Sequence, residues 1–235
     1  MIGQDFPKIQ WDIFELQLLE PNAMFGDIIL FAMSLFFAAQ IRKMNKTQPF
    51  FHYWRLFFVW FGWSFILGGC GHLFYNYTGL WGKYPSWILG MVCTFYLAKA
   101  MISLWSDPKQ KTWFTHSALA LLILGILTEC MVFVKVDLTI DQSKGLFVPT
   151  LVSGIGLIFS LGFLGTYYHL KLGSHFKNFW IAALILLPNA FIQSQKINLH
   201  PWFDRNDFSH VLLLLSLMLY FQGIKKAEQS PLFNP

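Results

Sequence analysis

Charge is what this chain has least of. Only 12% of its 235 residues are Asp, Glu, Lys or Arg, where a water-soluble domain carries about 25%. A conventional solvated surface is therefore excluded over most of the length. Cysteine is also sparse. Cys70, Cys93 and Cys130 all fall inside apolar segments, which leaves neither a disulfide framework nor a paired-cysteine zinc motif. The start, Met1-Ile-Gly-Gln-Asp-Phe-Pro-Lys8, has no basic region followed by an apolar core, so no cleavable leader is expected and the first apolar segment directs insertion. Internal repeats and low-complexity runs are absent from the sequence.

Apolar sequence dominates instead, with 55% hydrophobic and 19% aromatic residues. Seven apolar segments, Met24 to Gln40 and then roughly 54–75, 85–105, 113–135, 146–168, 178–195 and 208–224, each approach the ~20 residues that cross a bilayer. The fold class expected is an all-α, integral membrane bundle of seven transmembrane helices with an N-terminal interfacial segment. The boundaries are 1–22 for that segment, 23–226 for the membrane domain and 227–235 for a cytoplasmic tail. In the first segment Phe6, Ile9, Ile13 and Leu16 recur at helical spacing, which predicts a helix lying on the membrane surface. Pro21 breaks that segment, and Asn22 is the expected N-cap of the first span.

The formal charge of +5 lies mostly in loops, the pattern of membrane anchoring, and it requires no nucleic-acid partner. Arg42, Lys43, Lys46, Arg55, Lys109, Lys111, Lys171, Lys177, Lys225 and Lys226 fall on one side. Lys8, Lys83, Lys135, Lys144, Lys196 and Arg205 are spread along longer, partly acidic stretches on the other. The positive-inside rule then predicts an integral membrane protein with the N-terminus outside and the C-terminus in the cytoplasm.

Alternating spans bring several polar residues to one depth, counted at about 1.5 Å per residue. Asp27 in the first span, His72 at the end of the second, Glu129 late in the fourth, Asn189 and Gln193 late in the sixth, and Asp207 with His210 at the start of the seventh all belong to the outer half. Intramembrane ionisable groups face the bundle interior and pair. Each also has a plain structural reading. Asp27 suits the positive end of its helix dipole, His72 is a hydrogen-bonding core histidine after the small residues Gly68-Gly-Cys-Gly71, Asp207 is a cap or first-turn acid, and Glu129 sits at the interface. Taken together, two imidazoles and one or two carboxylates from three helices form a candidate zinc site whose bound water would become a nucleophile. A haem held between His72 and His210 is a further possibility.

Three motifs, Glu20-Pro-Asn22 with Asp27-Ile-Ile-Leu30, Gly68-Gly-Cys-Gly-His72-Leu-Phe74, and Asn206-Asp-Phe-Ser-His210-Val211, resemble in order those of an uncharacterised family of bacterial seven-helix membrane proteins. That family is similar in layout to the superfamily of alkaline ceramidases and progestin/adiponectin receptors, seven-helix zinc-dependent lipid amidases. His72 matches a histidine ending the second helix of the ceramidase pattern, and His210 the second of a histidine pair opening the seventh. Gly68 stands at the serine position, no aspartate occurs from Tyr84 to Trp87, and Asn206 replaces the first histidine of the pair. The resemblance implies a metal-dependent hydrolase of a lipid-like amide or ester. Its zinc would be held by His72 and His210, with Asp27 or Asp207 as third ligand or base and Glu129 and Asn206 supporting them. The alternative is a non-catalytic membrane subunit or receptor, with protein partners in the membrane and the same residues forming an internal hydrogen-bond network.

Overall fold

The computed structural model describes residues 6–233. The start of the expected interfacial segment, residues 1–5, and the end of the expected tail, residues 234–235, lie outside the described residues. Among those described, seven helical stretches are long and apolar enough to cross a membrane. The first two are α1 (Pro21–Lys43) and α2 (Pro49–Leu73). The third joins a short α3 (Tyr75–Thr78), a 3-10 turn at Gly79–Lys83 and α4 (Tyr84–Ile102). The fourth is α5 (Pro108–Lys135), and the fifth combines α6 (Ser143–Leu157), a π-helical stretch at Ile158–Leu164 and α7 (Gly165–Leu172). A 3-10 turn at Ser174–Phe176 leads into α8 (Lys177–Ser194), and α9 (Arg205–Glu228) is the last. The protein is an all-α seven-helix membrane bundle.

Proline and aspartate mark where these helices start. Pro stands in the first two positions of α1, α2, α4 and α5, where its missing N–H has no helical acceptor to lose. Asp107 accepts from the backbone N–H groups of Lys109 and Gln110 at the head of α5. Helix α1 packs on α2 and α9, α2 on α4, and α8 on α9. Small residues make these approaches possible: a Cβ on Gly62 would press on Phe31 and Ser34, and one on Gly223 would meet the Phe179 ring. Helices α5 and α6 pack on the far side of α4. Helix α5 fully buries only Gly125 and Glu129, while Phe114, Leu121, Leu122 and Ile126 pack half-buried against its neighbours.

The N-terminal segment is not a surface helix. Gln10–Ile13 (β1) and Leu16–Leu19 (β2) form an antiparallel hairpin, with Gln10 opposite Leu19 and Ile13 opposite Leu16. Ile9, Trp11 and Ile13 also alternate at strand spacing, so the helical stripe was one of two readings of a short apolar stretch. An isolated helix of that length is marginal. The turn relies on Phe14 at φ 55°, and tertiary bonds finish the choice. Glu20 N–H donates to Ile9 O at 2.9 Å, and Gln17 N–H donates to the Tyr77 hydroxyl at 2.8 Å.

Two further boundaries move. Pro21 begins α1 rather than separating it from what precedes, and the capping position belongs to Glu20, not Asn22. The end of α9 and the chain after it are not a free tail: Ala227 in the last turn, then Ser230 and Phe233, are buried. Phe233 stacks on Phe50, with ring centroids 5.4 Å apart, and meets Phe51 edge-on at 4.8 Å. It closes an aromatic core in which Trp54 stacks on Phe179 at 5.2 Å and Phe37 on Phe221 at 4.5 Å. This core fills the end of the bundle away from the hairpin.

Candidate functional site

The polar residues gather at the hairpin end. Glu20 takes the left-handed conformation, φ 51°, which turns the chain sharply from β2 into α1. For a residue with a Cβ this costs about 1–2 kcal/mol. The carboxylate is thereby buried among two ammonium groups and an imidazole. Its Oε1 lies 2.6 Å from Lys8 Nζ, and its Oε2 lies 2.5 Å from His72 Nδ1. Lys83 Nζ stands 3.4 Å from the same Nδ1. A carboxylate only accepts and an ammonium only donates, so the proton on Nδ1 points to Glu20 and Lys83 contributes charge alone. Burial by itself would raise the Glu20 pKa. The attraction of His72, Lys83 and Lys8 outweighs it and holds the carboxyl well below its ordinary range. Lys8 shows the mirror case. Burial disfavours its charge, yet Glu20 and Asp204 together raise its pKa.

Lys8 carries the network to α9. Its Nζ lies 2.5 Å from Asp204 Oδ2, while Asp204 Oδ1 accepts from Asn206 N–H at 2.7 Å and Asp207 N–H at 3.4 Å. Asp207 returns the bond, its Oδ2 accepting from Asp204 N–H at 2.9 Å. This is a reciprocal capping box. The same Asp207 oxygen accepts from Asn22 Nδ2 at 2.7 Å, which ties α9 to the first turn of α1.

Glycines set the spacing. A Cβ on Gly71 would meet the Gly82 carbonyl at 2.5 Å, so α2 and the 3-10 turn touch backbone to backbone and deliver Lys83 to His72. A Cβ on Gly69 would lie 2.9 Å from Asp27 Oδ2, and one on Gly26 would fall on the His210 ring. Those two gaps seat a second pair: His210 Nε2 lies 3.1 Å from Asp27 Oδ1. His210 Nδ1 is buried without a hydrogen-bond partner.

The expected site residues therefore divide. His72 and His210 both stand at the hairpin end, but each serves its own carboxylate, Glu20 and Asp27 respectively. Asp207 is a first-turn acid, and Asn206 enters through its backbone. Asn189 and Gln193 form a separate group, both bonded to Ser209. Glu129 does not support the site. It is fully buried on α5, whose neighbours are α4 and α6 rather than α1 or α9, and neither carboxylate oxygen has a hydrogen-bond partner.

Among the described residues no three His, Cys, Asp or Glu side chains gather as a metal-binding group. The Lys8 and Lys83 ammonium groups occupy the positions beside Glu20 and His72 where a cation would sit. The residues present do not fit the expected zinc. Sequence reading missed Lys8, Glu20, Lys83 and Asp204 as members of the site. Lys83 carried a usable signal: a lysine between Gly82 and a span calls for a counter-ion.

Fold and site together define a seven-helix membrane protein with a buried ion-pair network at one end. The chain belongs to a family of unknown function, DUF6962, whose model matches residues 23–229. The match runs from the first turn of α1 to the end of α9 and takes in Asp27, His72, Lys83, Asp204, Asp207 and His210, with Lys8 and Glu20 preceding it. Neither the curated proteins nor the solved structures contain a match.

Proposed function

We propose that this protein is a non-catalytic membrane component, a receptor or a subunit of a larger assembly, in which the charge network latches the N-terminal hairpin onto α1, α2 and α9. Lys8 carries the reading. Its ammonium, with a side chain only 8% exposed, bridges Glu20 and Asp204. A hydrolytic centre needs an uncommitted ligand or base, and Glu20, His72, Asp204 and Asp207 are each engaged by a neighbour. Buried ions that satisfy one another organise structure, and removing one partner is strongly destabilising. The test is thermal unfolding of the detergent-purified chain, wild type beside Lys8→Met, Glu20→Gln and the double variant, together with zinc content after exchange against a weak chelator. Lower Tm in each single variant, with a double effect smaller than their sum, supports the latch. Near-stoichiometric zinc that disappears in His72→Ala and in His210→Ala would overturn it.

A second reading, a membrane hydrolase of a lipid-like amide or ester, draws on the Asp27–His210 pair. A carboxylate that orients an imidazole whose other nitrogen is unengaged is the arrangement of a general base. That reading expects hydrolysis of a lipid amide or ester by wild-type protein, lost in a His210→Ala variant that is still folded at the assay temperature. Failure of every amide and ester tried, in folded protein, removes its support.

A further inference from the structure

At the end of the bundle opposite the hairpin, the α1–α2 connection borders a polar cleft of about 450 Å³ whose lining includes Arg42, Lys46, His52, Tyr53 and Arg55. Its lining is one-sided in charge. Two arginines, a lysine and a histidine face it, and no carboxylate contributes. A fifth basic group stands behind the wall, where Lys99 Nζ lies 4.3 Å from the centre of the Tyr53 ring. The head of α2 adds to this field. Gln48 caps it without a side-chain hydrogen bond, so the positive end of the helix dipole opens beside Arg42 and Arg55. Part of the basic charge has an internal role, since Arg42 and Lys43 complement the carboxyl end of α1. Arg55 has no such role, because it stands in the second turn of α2, outside the last turn of any helix. A guanidinium there is favourable when an anion shares the cleft with it.

We propose that this cleft binds a phosphate group, that of an anionic glycerolipid whose chains lie along the apolar flank of α1 and α2. The position suits a lipid: the cleft sits where two membrane-spanning helices end, the depth at which phosphodiesters lie. Arginine forks match phosphate oxygens in two-point hydrogen bonds. The volume takes a phosphate with a small polar headgroup, and basic pockets between helix ends are known to recognise such headgroups.

The experiment uses the full chain in a mild detergent and measures retention of phosphatidylglycerol against phosphatidylcholine by native mass spectrometry. The proteins compared are wild type, Arg42→Gln with Arg55→Gln, and a control that removes equal charge at the same end, Lys171→Gln with Lys177→Gln. Selective retention of phosphatidylglycerol by wild type and control is expected, weakened about five-fold per arginine and roughly thirty-fold in the double variant. A parallel arm adds inorganic phosphate alone and follows Tm. A rise in wild type that is absent from the arginine variant supports the phosphate site with a free anion as its source. Equal retention by all three proteins and no phosphate-dependent rise would overturn the proposal. Folding of the arginine variant is checked by its Tm in phosphatidylcholine, and Arg55→Gln alone serves if the pair unfolds.

Discussion

The two ends of the α1–α2–α9 bundle are held by opposite means. At the hairpin end Lys8, Glu20, His72, Lys83, Asp204 and Asp207 form a chain of charged contacts, while at the other end Trp54, Phe50, Phe179, Tyr220 and Phe233 pack ring against ring. Ion pairs are directional and specify one arrangement at the risk of strong destabilisation if a partner is lost. Aromatic packing is less directional, and its stabilisation follows buried area. The hairpin, with eight residues in its two strands, buries little apolar surface. A buried lysine bridging two carboxylates is what positions so small an element.

This contrast can be broken from either end. The largest effect is expected at the aromatic end, where Trp54→Ala deletes a fully buried side chain and should lower stability by about 3–5 kcal/mol, read as a Tm shift in detergent. Next is Glu20→Gln, which keeps the shape but removes the charge facing Lys8 and His72. It should lower stability by about 1.5–3 kcal/mol and raise hydrogen exchange across Gln10–Leu19 while leaving α2's inner turns unchanged. An effect spread evenly over both ends would erase the distinction.

The pH dependence sharpens it. Because the folded-state pKa of Glu20 is depressed, its contribution is complete above the ordinary value of 4.5 and is lost as pH falls through the lower folded value. Lys8 is raised, so its contribution is complete below 10.5 and is lost as pH climbs through its folded value. Between those limits the latch holds. Acid titration of Tm should therefore be steeper for wild type than for Glu20→Gln, and coincident curves would remove Glu20 from the account. A smaller effect belongs to Asp204→Ala measured against Lys8→Met as its parent, where the Lys8–Asp204 bridge is already gone and the lost cap alone should contribute about 1 kcal/mol, seen as faster exchange in the first turn of α9. The smallest is Glu129→Gln. No charge faces that carboxyl on α5 among its hydrogen bonds, so a neutral isostere should barely move Tm. A fall as large as that of Glu20→Gln would reveal a cation beside it.

Much of this site was legible piece by piece but not as a whole. His72, Asp27, Asp207 and His210 stood out because ionisable groups in apolar sequence are rare, and all four lie at the hairpin end. Their pairing was not legible. His72 pairs with Glu20, 52 residues away, and Lys8 with Asp204, 196 residues away, and spacing within a helix carries no information about either. Glu129 was misplaced for the same reason: depth along a helix can be counted, but the face it turns to depends on which neighbours pack there.

The sequence alone determined the environment and the number of spans, because the length of an apolar run and the rise per residue are local quantities that bilayer thickness makes decisive. Only the tertiary structure decided that the N-terminal segment is a hairpin, that two histidines near one depth serve different carboxylates, and that the last residues return to the aromatic core. Those outcomes turn on contacts between distant residues. Short segments with balanced local preferences take whatever conformation satisfies their buried charges and rings.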